Sequence, residues 1–184
     1  MIYPIVAYGN PILKKEAEEI KEGSDVSALI TDMFSTMDHA SGVGLAAPQI
    51  NQGIRLFVID SSLMLDENDD EKGIRRAFIN PIILDEYGDN FGFEEGCLSI
   101  PEVRAEIIRP EKLTIEYYDE NWNLREEEFG GMTARVIQHE YDHLEGILFV
   151  DYLKGLKKRL VQSKLIEVSK GRVGTDYRMI YPLK

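Results

Sequence analysis

Apolar and polar positions follow two rhythms along this chain. Leu29, Met33 and Met37 recur every four residues with Ile30 and Phe34 beside them, which predicts a helix with one buried face. It starts at Gly23-Ser24-Asp25 and stops near Ser41-Gly42. Upstream, Asn10-Pro11 reads as the cap and first position of a short helical turn through Lys15, and 14–21 is a charged surface stretch. Ile54 to Asp60 is an apolar run with the composition of a buried strand. Ala77 to Leu84 is a second strand, and Pro81 inside it predicts an edge or a bulge. Alternation returns at Val103–Ile108, Leu113–Tyr118 and Leu124–Phe129, which predicts three antiparallel strands, with a hairpin turn over Asp119–Asn123. Helical character resumes at Met132–Ile137, runs into Gln138–His143 and meets a stop signal at Gly146. A last helix spans 154–170, and the tail 171–184 carries Tyr177, Met179, Ile180 and Tyr181, apolar enough to pack back on the body.

Three stretches break both rhythms. Gly42–Gln49 reads as a helix-to-strand loop whose glycines permit close backbone approach. It lacks the spacing of a dinucleotide fingerprint. Ser61 to Arg76, with Asp66-Glu67-Asn68-Asp69-Asp70-Glu71 at its centre, reads as a solvated, mobile acidic loop. Gly92 to Pro101 holds too much Gly and Pro for a strand interior and predicts irregular backbone.

Composition narrows the picture. A chain of 184 residues with 43% hydrophobic content suits one domain, 1–184, with a sizeable core. A net charge of −12 makes the body a poor nucleic-acid binder and argues against DNA. The exception is the last helix, where Lys154, Lys157, Lys158, Arg159, Lys164 and Lys170 stand against Glu167. Such a block is ordinarily a solvated face; the functional alternative is contact with a polyanion such as RNA. One cysteine, no signal peptide at Met1–Val6 and no apolar run of about 20 residues favour a cytoplasmic protein with no membrane segment.

The candidate chemistry centres on Gln138-His139-Glu140-Tyr141-Asp142-His143. On a helix, His139 and His143 share a face one turn apart and can grip one metal ion, with Glu140 free to handle a proton. The chain has three His in all, and its single Cys, Cys97, lies in a Gly-flanked segment unlike a core position. Two imidazoles and a thiolate leave a fourth tetrahedral position open, as a catalytic metal requires. A metal there would supply an acidified water, Glu140 would carry the proton, and the Gln49 amide and Leu98 N–H would stabilise an oxyanion. That chemistry hydrolyses an amide. A zinc peptidase shares it but takes its third ligand downstream, where no His follows His143. A closed structural site would need His39 or a carboxylate as fourth ligand.

Three segments together resemble the peptide deformylase family, and the likeness covers about the whole chain. They are Gly42-Val43-Gly44-Leu45-Ala46-Ala47-Pro48-Gln49, Glu95-Gly96-Cys97-Leu98-Ser99 and Gln138–His143, in the family's order and spacing. The resemblance implies an α+β fold: antiparallel or mixed sheets wrapped around the H-E-x-x-H helix, with a C-terminal helix. It implies removal of the N-formyl group from the initiator Met of nascent polypeptides. Cys97, His139 and His143 become metal ligands, Glu140 the general acid/base, and Gln49 with the Leu98 amide the oxyanion donors. Val43, Gly44, Glu95, Gly96, Met132 and Val136 become substrate contacts. Fe(II) is the implied native ion, with Zn(II) or Ni(II) able to take its place. The basic helix resembles one that docks on the ribosome, through Lys157, Lys158 and Arg159 here. Arg135, one turn before His139, departs from the apolar residue expected to line the methionine pocket.

Overall fold

The computed structural model describes residues 1–65 and 72–182; the acidic run from Asp66 to Glu71 lies outside them. In chain order the elements are β1 (Ile5–Val6), α1 (Ser27–His39), β2 (Gly44–Ala46), β3 (Leu56–Asp60), β4 (Arg75–Cys97), β5 (Ile100–Tyr118), β6 (Leu124–Gly130), α2 (Gly131–Leu144), α3 (Gly155–Ser169) and β7 (Met179–Ile180). Strands β2 to β6 form one antiparallel sheet in sequential order, and β1 pairs with β7 in a parallel two-stranded sheet. The fold is α+β, as the resemblance implied. No helix among the described residues is long and apolar enough to cross a membrane.

The sheet corrects three expectations. Gly92 to Cys97 is not irregular: it is the end of β4, paired with β5 as far as Cys97 opposite Ile100. Register shifts between Tyr87 and Asn90 and between Gly96 and Cys97 absorb the awkward residues, so only Leu98 and Ser99 separate the two strands. The segments Val103–Ile108 and Leu113–Tyr118 are one strand, because Pro110 continues opposite Asn90 without breaking the pairing. Gly42–Gln49 contains β2, held antiparallel to β3, followed by a helical turn over Ala47–Ile50. Pro81 is at a bulge, as one of its two readings required, but β4 is not an edge strand.

Helix α1 buries Ile30, Met33 and Met37 against β2, β3 and β4. Helix α2 is buried over most of its length, with Ala134, Ile137 and Leu144 packed on the aromatic residues Phe57, Phe78 and Tyr117 of the sheet. It ends where Gly146 turns to φ +69° and the Ile147 N–H caps the Asp142 carbonyl at 2.8 Å. The tail does pack back: the N–H groups of Ile5 and Ala7 donate to the carbonyls of Arg178 and Ile180, each at 2.8 Å.

Candidate metal centre and active site

A cavity of about 460 Å³ opens where β2, the β4–β5 tip and α2 meet. The three motifs converge there although they are far apart in sequence. Cys97 is the last residue of β4, so the hairpin tip delivers its thiol to the inner face of α2. The ligand atoms of Cys97, His139 and His143 all lie within 4.8 Å of one another. Cys97 Sγ is 3.3 Å from His143 Nε2. His39 is exposed at the end of α1 and is not part of this group. A thiolate and two imidazoles so gathered suit a divalent transition metal.

The second nitrogens of the two imidazoles differ in their surroundings. His139 Nδ1 is 2.9 Å from Glu95 Oε2, which orients the ring and leaves Nε2 for the centre. Burial opposes a charge on His139, but hydrogen bonds with Cys97 and Glu95 outweigh it and raise its pKa. Burial lowers that of His143, reinforced by the His139 charge, so this ring is neutral. Its Nδ1 is buried without a partner. A metal ion competes with the proton on such rings, so binding would release it.

Behind His139 lies a network of buried ions. Arg109 Nε and Nη2 donate to the two Glu95 oxygens at 2.7 and 3.0 Å, and Arg135 Nη1 donates to Oε1 at 3.0 Å. The remaining Arg109 arm reaches Asp142 Oδ2 at 2.8 Å, and the Tyr152 hydroxyl donates to the same carboxylate at 3.0 Å. Burial alone would raise the Glu95 pKa; the His139 and Arg109 hydrogen bonds reverse this and hold it well below the carboxylate range. Arg135 lines the cavity yet spends its charge elsewhere. Its guanidinium bonds Glu95, the Ile107 carbonyl and the Phe91 carbonyl, and lies over the Phe91 ring at 4.2 Å. The departure at Arg135 thus presents no bare cation to the pocket.

Glu140 is 4% exposed and lines the cavity, and its Oε2 has no hydrogen-bond partner among the described residues. Burial pushes its pKa up to about 7, where a carboxyl can both take and give a proton. Gly44 makes room for it: a Cβ there would lie 2.3 Å from Glu140 Oε1. Gln49 is 1% exposed; its carbonyl accepts from Ala46 N–H at 2.8 Å, which fixes the amide so that Nε2 points at Cys97 Sγ, 3.4 Å away. Leu98 lines the same cavity.

Most residues expected from the sequence meet here: Val43, Gly44, Gln49, Glu95, Gly96, Cys97, Leu98, Val136, His139 and Glu140 line the cavity, and His143 joins the donor cluster. Met132, in the first turn of α2, does not line it. Glu95 faces the cavity with both oxygens engaged by Arg109, Arg135 and His139. Sequence reasoning missed Arg109, Tyr152 and Tyr177. A signal for Arg109 existed: Val103, Ile107 and Arg109 share the inward register of β5, so a cation there needs a buried partner.

Comparison with known proteins shows what the whole chain is similar to. Residues 2–159 match the model of the polypeptide deformylase family. A peptide deformylase of Cytophaga hutchinsonii is 57% identical over 187 aligned residues, covering 100% of both chains. One from Christiangramia forsetii is 50% identical, covering 99% of this chain and 97% of its own. Among solved structures, the peptide deformylase of Ehrlichia chaffeensis superposes with a TM-score of 0.83 at 31% identity, over 93% of this chain and 98% of that one. The Thermotoga maritima enzyme gives 0.73 at 37% identity, over 84% and 99%.

Proposed function

The chain belongs to the polypeptide deformylase family, and we propose that Cys97, His139 and His143 hold the metal ion of its reaction. As a deformylase it hydrolyses the formyl amide of N-formylmethionine on nascent polypeptides and releases formate. The observation that carries the residue assignment is the donor cluster beside a buried, unpartnered Glu140 oxygen in one cavity.

A divalent ion bound by these three residues would supply Lewis acidity, acidifying a water and polarising the formyl carbonyl. The rest of the chemistry belongs to the side chains. Glu140 takes the proton of the attacking water and passes it to the amine nitrogen as the carbon–nitrogen bond breaks. Gln49 Nε2 and the Leu98 N–H donate to the oxygen that gains charge in the tetrahedral state. Glu95 keeps His139 in one tautomer and orientation. Val43, Gly44, Gly96 and Val136 line the cavity and are the contacts this reading gives to the substrate.

The test is formate release from a formyl-Met tripeptide by anaerobically purified protein, wild type beside Glu140→Ala. The mutant keeps its metal and loses about 10²–10⁴-fold in rate. A mutant as fast as wild type removes Glu140 from the mechanism. The donor set suits zinc or iron alike, and the reading takes Fe(II) from the resemblance to the family; a thiolate-bound ferrous centre is prone to oxidation, so aerobic preparation lowers activity and Ni(II) replacement protects it. Equal activity after both preparations counts against iron, in favour of Zn(II).

The reading extends to the ribosome, in a cytoplasmic setting. Lys157 pairs with Glu106 at 3.0 Å, whereas Lys158 and Arg159 make no ion pair among the described residues. Replacing all three by Ala weakens co-sedimentation with ribosomes; undiminished binding ends this part of the proposal.

A further inference from the structure

The segment 174–177 comes from the C-terminal tail, outside the family match that ends at residue 159, yet all four of its residues line the catalytic cavity. The Tyr177 hydroxyl donates to the Leu98 carbonyl at 2.8 Å. The next carbonyl in the hairpin turn, that of Ser99, accepts from the Tyr8 N–H, also at 2.8 Å. Tyr8 follows β1 and Tyr177 precedes β7, and these two strands pair with Ile5 opposite Met179. The two-stranded sheet therefore grips both carbonyls of the turn between Cys97 and Ile100, one from each end of the chain. The gripped turn follows directly on the cysteine of the donor cluster and contains the Leu98 N–H.

We infer that Tyr177 is a positioning residue for the deformylation reaction, holding the Leu98–Ser99 turn so that the Leu98 N–H meets the developing oxyanion. This rests on the assignment of Leu98 as an oxyanion donor. The Leu98 carbonyl and N–H belong to peptide planes that meet at its Cα. Anchoring the carbonyl limits the torsions that aim the N–H. Among the described residues no other donor bonds that carbonyl. The Leu98 side chain packs close over Gly42, where a Cβ would lie 2.7 Å from Leu98 Cδ1. The turn thus touches both the β2 entry and the tail. A donor that gains strength only in the transition state affects kcat, while ground-state binding is left to the rest of the cavity.

The experiment compares the full-length wild type with Tyr177→Phe, which keeps the ring and removes the hydroxyl. On a formyl-Met tripeptide, kcat falls about 3- to 10-fold, the range one net hydrogen bond can supply, while KM stays within about twofold. Metal content and thermal midpoint stay at wild-type values. Amide hydrogen exchange rises at Leu98 and Ser99 and not in α2 or β5. Unchanged kcat overturns the inference. So does a loss of kcat that comes with lower metal content or melting temperature, since the hydroxyl would then be a structural contact. An active wild type with normal Tyr177→Phe kinetics removes the tail from the mechanism and leaves the deformylase reading standing. A metal-loaded wild type that releases no formate overturns both.

Discussion

Glu95 and Asp119 are two carboxylates with nearly the same number of partners and very different neighbourhoods. Glu95 accepts from Arg109 twice, from Arg135 and from His139, and its side chain is 4% exposed. Asp119 accepts from the N–H groups of Asn121 and Asn123 and from Arg125, and closes the β5–β6 turn with 18% of its side chain exposed. Both are held below the usual carboxylate range, Asp119 at about 2; burial opposes this in each and the hydrogen bonds prevail. The difference lies in what is stranded when the carboxylate goes. Around Asp119 water takes over the freed donors. Around Glu95 two guanidinium groups stay buried, one of them with Asp142 as its remaining partner. Partner count therefore says little; the solvent available to the partners decides.

Glu95→Ala presses hardest on this contrast. It leaves Arg109 and Arg135 buried without their shared anion and costs about 3–5 kcal/mol, read from denaturant midpoints. It also frees His139 to rotate, weakening metal affinity about 10–100-fold in a competition titration. A cost near that of a surface pair would mean that the interior is wet enough to solvate the arginines. Arg135→Met is the intermediate case. Glu95 keeps Arg109 and His139, while the Ile107 and Phe91 carbonyls lose a donor, and the expected loss is about 1–3 kcal/mol. Asp119→Ala is the smallest, at most about 1 kcal/mol at neutral pH. Its effect has a defined pH sign. The folded pKa is about 2, below the unfolded value of about 3.9. The carboxylate stabilises fully above about pH 4, and the benefit disappears as pH falls to about 2. A difference from wild type that persists below that window would assign the cost to turn geometry instead of charge.

The chemistry-bearing residues were legible because local spacing encodes them. His139 and His143 share a helix face, and Gln49 and Cys97 each stand in short Gly-containing segments. The supporting residues were not legible in the same way. Arg109 and Glu95 meet because β4 and β5 are a single hairpin, and reading Gly92–Pro101 as irregular hid that pairing. Gly and Pro carry unfavourable strand propensity, but a partner strand on either side of each bulge overrides it. Pro110 likewise divided one strand into two on paper because its missing donor falls beside Asn90, at a register shift that tolerates it. Tyr177 carried a signal for packing on the body and none for its partner: it lies 79 residues from the Leu98 carbonyl it bonds.

The pairing of β1 with β7 has a consequence for how the protein is made. A ribosome delivers β1 well before β7, so β1 waits for its partner while the elements between them are made. The motif helix and the long hairpin have emerged by then and can associate, but the grip on the Leu98–Ser99 turn closes only once Tyr177 and Ile180 are free of the tunnel. Each newly made copy can therefore gather Cys97, His139 and His143 before the Tyr177 hydroxyl reaches the Leu98 carbonyl. Docking of β7 on β1 then becomes the step that brings residues 174–177 to the cavity wall.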